Sequence, residues 1–165
     1  MSDAQETQRR TPWRTAPELP EEVFAAWRKP DGAISPVAIV ATVDPDGAPR
    51  TAPFGSLRAV TPRLLRLCSL RHHDTYANLC RDGRVTVALL SPPDIAVSVR
   101  GQARVVKEHM DTDESFAVLE IDVEEVKNDM AYRVVIESAI EISAREEHRG
   151  WYEVAMRELE TLDSG

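Results

Sequence analysis

The 165-residue chain has only two cysteines, Cys68 and Cys80, too few for a disulfide framework and not spaced as a CxxC pair. Each reads as a small buried apolar residue in a reducing compartment. Aromatic residues make up 5% of the chain, which leaves little surface for stacking nucleobases and argues against a nucleic-acid partner. The longest apolar runs, VAIVATV and VALL, fall far short of the ~20 residues a membrane helix needs. The first twenty residues are polar and lack the apolar core of a signal peptide, so the expected location is cytoplasmic. His72 and His73 stand side by side on an extended segment, where neighbours point apart, and no third ligand is near in sequence. No metal site is expected. Nor does any internal repeat or low-complexity segment stand out.

What is present is an ordinary globular composition, 42% hydrophobic and 29% charged, enough for one domain with one core. The net charge of −8 is unevenly spread: residues 1–48 sum to −3, residues 49–104 to +6 and residues 105–165 to −11. A basic middle third inside an acidic chain fits either a site for a small phosphorylated ligand or arginines that decorate the outer faces of strands.

Residues 1–17, with Pro12, Pro17 and no periodicity, predict a flexible arm, and residues 18–165 the single domain. Pro20 opens an amphipathic helix carrying Val23, Phe24 and Trp27, and Pro30-Asp31-Gly32 ends it. PVAIVATV is apolar on both faces, as in a buried strand, and DPDG at 44–47 is turn chemistry with Gly47 at positive φ. The returning strand holds Pro49, Pro53 and Gly55, so it must be an edge or be interrupted near residues 53–55. An ordinary bulge and a close approach of backbone to a ligand both account for that break.

LLRLCS and RVTVALLS are strands on either side of a short helix, with Tyr76, Leu79 and Cys80 on its core side and Gly83 at its end. In IAVSVRGQARVVK, Ile95, Val97, Val99, Ala103 and Val105 share one face while Ser98, Arg100, Gln102 and Arg104 share the other. Residues 116–127 fit helix or strand, and their β-branched content favours strand. YRVVIESAIEIS at 132–143 also reads as a strand, and the last segment as an amphipathic helix burying Trp151, Tyr152, Ala155, Leu159 and Leu162. Six to seven strands in hairpin-rich order with peripheral helices predict an α+β fold, a small antiparallel split β-barrel.

The stretch SLRHHDTYANL, Ser69–Leu79, sets hydroxyls, an arginine and two histidines at the mouth of the short helix, which Asp74 or Thr75 is placed to cap. A helix start offers free N–H groups and the positive end of the dipole, so the segment outlines an anion site completed by Ser69, Arg71, His73 and Thr75.

Taken together, PVAIVATVDPDGAPRTAPFGSL, a strand ending in Ser, TYANLCRDGRVTVALL and VRGQARVV resemble the FMN-binding split barrels of the pyridoxamine 5'-phosphate oxidase-like superfamily over residues 35–107. The TY-x-NL form, with Thr75 where many members have lysine, is similar to the flavin reductase-like branch. The resemblance implies that Ser69, Arg71, Thr75 and Asn78 meet phosphate or ribityl oxygens, with His73 at the same mouth. It implies too that backbone of Ala52, Phe54 and Gly55 meets the ring edge, and that Arg50 or Gln102 supplies a donor there. A homodimer with the flavin at the subunit boundary, acting on a small-molecule substrate or electron donor, is the further implication. The acidic end, HRGWYEVAMRELETLDSG, has no counterpart of the basic substrate motif of true pyridoxamine phosphate oxidases, so the superfamily name is not the reaction. No catalytic residue stands out. The expected function is thus an FMN-dependent oxidoreductase, and the alternative is a non-catalytic module that holds haem, a deazaflavin or a flavin on the same barrel.

Overall fold

The computed structural model describes residues 13–163. Its elements in chain order are β1 (Thr15–Ala16), α1 (Glu21–Trp27), β2 (Ala38–Val43), β3 (Pro49–Phe54), β4 (Arg58–Thr61), β5 (Leu64–Leu70), α2 (Asp74–Arg81), β6 (Arg84–Ser91), β7 (Ile95–Lys107), β8 (Phe116–Asn128) and α3 (Arg149–Thr161), the last preceded by one 3-10 turn. The strands form one antiparallel sheet in the order β3-β2-β6-β7-β8-β5-β4, with β1 added beside β8. β3 and β4 end the path without pairing to each other, so the barrel is split between them. This is the α+β split barrel that the hairpin order predicts.

Alternation builds the core. Val40 in β2, Val85, Val87 and Leu89 in β6, and Val97 and Val99 in β7 point inward together with Leu65, Leu67, Leu119 and Ile121. α1 closes one end with Val23 and a fully buried Trp27. β8, ambiguous from its pattern, is the most embedded strand, because it pairs with β5, β7 and β1 at once. A second cluster of Cys68, Met110 and Val118 receives Ala155, Met156 and Leu159 of α3.

Three expectations are corrected. Residues 132–143 form no strand. They run as an irregular strap tied at intervals, Ile136 N to Pro93 O, Val37 N to Ile140 O, and Ile142 to the Ser35 hydroxyl. The alternating apolar pattern is real, but no strand edge among the described residues receives it, and Tyr132, Val134 and Val135 stay exposed. Gly83 does not cap α2, which ends through Asp82 N to Asn78 O; a Cβ at Gly83 would meet the Ala103 carbonyl at 2.8 Å, so glycine is there for close strand approach. The buried face of α2 is Thr75, Asn78 and Leu79, while Cys80 is exposed. Residues 1–12 of the expected arm lie outside the described residues, and Thr15–Ala16 pair with Val126 and Lys127 of β8.

The interruption after β3 is confirmed in position. Pro49 and Pro53 lie on the edge strand, where missing N–H groups leave few ladder bonds unmade. Gly55 follows directly, and a Cβ there would meet the Ile34 carbonyl at 2.8 Å and Ile142 Cδ1 at 2.7 Å. Glycine is therefore demanded by the chain's own strap and the Ser35 segment.

Candidate cofactor site

β5 delivers Ser69 to the barrel rim, and a tight turn closed by His73 N to Leu70 O leads into α2. Neither Asp74 nor Thr75 caps the helix. The extended residue before it does: His73 Nδ1 accepts the Thr75 amide at 3.1 Å, and the same ring stands edge-on to Phe54 at 5.7 Å. The His73 side chain thus joins the end of β3 to the start of α2, which brings two of the predicted regions together. Ser69 and Thr75 are both buried, and the Ser69 hydroxyl donates to the Leu70 carbonyl at 3.1 Å.

The basic middle third resolves mostly into structure. Arg50, Arg58, Arg63, Arg66, Arg84, Arg100 and Arg104 all form ion pairs, with Asp44, Glu160, Glu18, Glu120, Asp82, Glu125 and the pair Glu120/Asp122. Arg81 donates to the Val43 carbonyl and to Asn78. Arg71 has no ion pair among the described residues, and its Nε is buried without a hydrogen-bond partner. Leaving a guanidinium N–H unsatisfied costs free energy unless a ligand completes it. The guanidinium lies beside the Tyr76 phenol, whose pKa is raised by desolvation and by Cys80 and held back by Arg71.

A second group gathers at the far end of β2. Asp44 accepts from Arg50 at 2.8 Å and from Asn78 at 2.9 Å, and Asn78 also donates to the Thr42 hydroxyl at 2.9 Å. Its carboxylate is held below the usual range by the hydrogen bonds from Arg50 and Asn78. Arg50 and Asn78 are therefore engaged by the protein itself and anchor α2 to the hairpin, with Asp44 and Thr42 as the partners that residue-type reasoning missed. The DPDG carboxylate was the available signal. Gln102 lies apart, on the outer face of β7, in a cleft of about 630 Å³ that also has Thr42, Pro49, Arg84 and Arg100 on its walls. Ala52 packs half-buried against the core.

An unsatisfied guanidinium N–H, two buried hydroxyl residues and a helix start lie within seven residues of chain, Ser69 to Thr75, and donors of these types suit a phosphate. Among the described residues no cluster of three or more His, Cys, Asp or Glu side chains is placed to hold a metal ion.

The sequence profile of the pyridoxamine 5'-phosphate oxidase family matches residues 26–141. The chain belongs to this family. Pyridoxamine 5'-phosphate oxidase-like proteins typically bind a flavin. A Lactobacillus delbrueckii protein assigned as a pyridoxamine 5'-phosphate oxidase is similar in structure, with TM-score 0.57 and 25% identity over 69% of this chain and 98% of its own. HupZ of Group A Streptococcus shares the fold at TM-score 0.53 and 20% identity, covering 66% of this chain and 97% of its own. An F420 reductase shares it at TM-score 0.53 and 15% identity, covering 67% and 100%. No curated protein matches the sequence.

Proposed function

We propose that this member of the pyridoxamine 5'-phosphate oxidase family is an FMN-binding oxidoreductase acting on a small molecule. The observation that carries the reading is Arg71, the arginine of the middle third left with a buried, unpartnered N–H directly ahead of a helix start. Ser69 and Thr75 flank it with hydroxyls, and together they take a dianionic ester. Bound FMN supplies hydride chemistry; the chain's task is to hold, orient and shield it. Backbone at Ala52, Phe54 and Gly55 borders the ring in this reading, with Arg50 as the polar neighbour.

A homodimer belongs to the same proposal. The strap at 132–143 exposes Tyr132, Val134, Val135, Ile140 and Ile142, a run that a second copy would cover. The cysteines are free, which suits a reducing, cytoplasmic setting, and no helix among the described residues is long and apolar enough to cross a membrane.

The test is calorimetric titration with FMN, riboflavin and a deazaflavin, together with the visible spectrum of the purified protein. FMN binding is expected, and Arg71→Ala with Thr75→Ala is expected to weaken it by about tenfold or more, the worth of a charge-assisted hydrogen bond. Absence of binding at millimolar FMN overturns the flavin reading. Bound FMN with no turnover of a reduced nicotinamide and an added acceptor favours the carrier alternative, and preference for the deazaflavin reassigns the cofactor.

A further inference from the structure

We propose that Lys29 is the positioning residue for the flavin ring: its ammonium gathers the carbonyls of Pro36, Gly55 and Leu57 and thereby fixes the break between β3 and β4 that borders the ring edge. This inference rests on the FMN reading above.

Lys29 is 3% exposed and follows directly on the C-terminal cap of α1. Its Nζ donates to Pro36 O at 2.9 Å, Gly55 O at 2.5 Å and Leu57 O at 2.8 Å. An ammonium has three N–H groups, and each here has one acceptor. Two of those carbonyls lie in the gap after Phe54 and before Arg58, where the strand breaks and its ladder bonds lapse. Leu57 is fully buried and Gly55 half-buried, so without a donor from elsewhere the Leu57 carbonyl would be buried and unpaired. The lysine is what permits the chain to leave β3, turn, and start β4 in one fixed path.

The position is expensive for the fold, which argues that it is kept for geometry. Lys29 adopts φ +50, a left-handed conformation unfavourable for a lysine. The charged groups around it are Arg58 on β4, which donates to the Lys29 carbonyl at 2.9 Å, and Glu160 on α3, which pairs with Arg58 and not with the lysine. Burial, and then the Arg58 charge, lower the Lys29 pKa to about 7. A methionine of similar length would bury at less cost but would leave the three carbonyls unanswered. The path of residues 55–57 is thus held by a group that contributes donors rather than net stability.

The test compares wild type, Lys29→Met and Lys29→Gln, the last retaining two N–H donors should the methionine variant fold poorly. Dissociation constants for FMN and riboflavin, the visible spectrum of the bound flavin and its midpoint potential are measured on protein shown folded by circular dichroism. Loss of ring positioning weakens FMN and riboflavin by the same factor, about tenfold, and shifts the bound spectrum and potential, with Lys29→Gln between the other two. Loss at the phosphate mouth, as in Arg71→Ala, instead weakens FMN and spares riboflavin. A merely structural lysine lowers the melting temperature while leaving the spectrum, the potential and both dissociation constants unchanged, and that result overturns the inference alone. Wild type that binds neither flavin overturns the FMN reading and this inference with it.

Discussion

The imidazole of His73 and the backbone amide of Thr75 make the first stabilising contact of α2, Nδ1 accepting from N–H at 3.1 Å. A ring nitrogen here does the work that Ser, Thr, Asp or Asn usually does at this position. The contact also sets the tautomer, because Nδ1 accepts only when the proton resides on Nε2. Replacing His73 with Ala removes the cap and the edge contact with Phe54. Urea denaturation is expected to show a loss of about 1 kcal/mol. In the proposed site a phosphate would compete with the imidazole for this amide, so added FMN should raise the stability of the variant more than that of wild type. Equal gains would mean that the amide is not part of the anion site.

Arg66 and Glu120 form the most deeply buried ion pair of the barrel, at 2.6 Å with side chains 1% and 5% exposed. Arg66 also donates to the Leu159 carbonyl, so the pair couples β5 and β8 to α3. Glu120→Ala leaves a guanidinium without its counter-charge in the interior, and the expected loss is about 3–5 kcal/mol. The double variant Arg66→Met with Glu120→Leu should recover much of that loss, because no stranded charge remains. Equilibrium unfolding of the single and double variants gives the comparison.

Much of the barrel was legible because side-chain period fixes which face is buried. Ile95, Val97 and Val99 alternate with Ser98 and Arg100 in sequence, and β7 has that same alternation in space. β8 was legible for a related reason: the β-branched residues of 116–127 outweighed a chance helical spacing. Residues 132–143 carry the same local signal but find no strand to pair with, and a partner's absence is invisible in local sequence. The strand-to-helix turn from Ser69 to Thr75, proposed here as an anion mouth, was legible in one short stretch. Its cap was not, because histidine is a weak predictor of capping. Nor was Lys29. At the end of EEVFAAWRK nothing marks it as buried, and its role depends on carbonyls 26 and 28 residues further along the chain. Which of the two readings of the arginine surplus applied was hidden for the same reason, since Glu120, Glu125 and Glu160, which pair with Arg58, Arg66, Arg100 and Arg104, lie in the acidic last third.

Cys68 and Cys80 should separate cleanly by reactivity. Burial pushes the Cys68 thiol up to about 11, against smaller opposing contributions from the Ser56 hydrogen bond and Arg58, so it carries almost no thiolate at neutral pH. Cys80 is exposed on α2. A thiol-specific reagent under native conditions is expected to modify one equivalent, removed by Cys80→Ser, with the second appearing only on unfolding. Labelling of Cys68 in the folded protein would show that α3 and its cluster open readily.

The buried ammonium of Lys29 also makes a pH prediction that needs no ligand. In the folded chain its pKa is lowered from 10.5 to about 7, so the folded state holds fewer protons than the unfolded state across that interval. Stability therefore rises with pH through the interval. Below it both states are charged and the full cost of burying the ammonium is present; above it both are neutral and the cost is gone. Comparing wild type with Lys29→Met at pH values between about 6 and 10 isolates this contribution from other titrating groups. Wild type should gain stability relative to the variant as pH rises. A difference that stays flat would mean that the three carbonyls hold the lysine charged in both states alike, so that the ammonium is fully compensated where it lies.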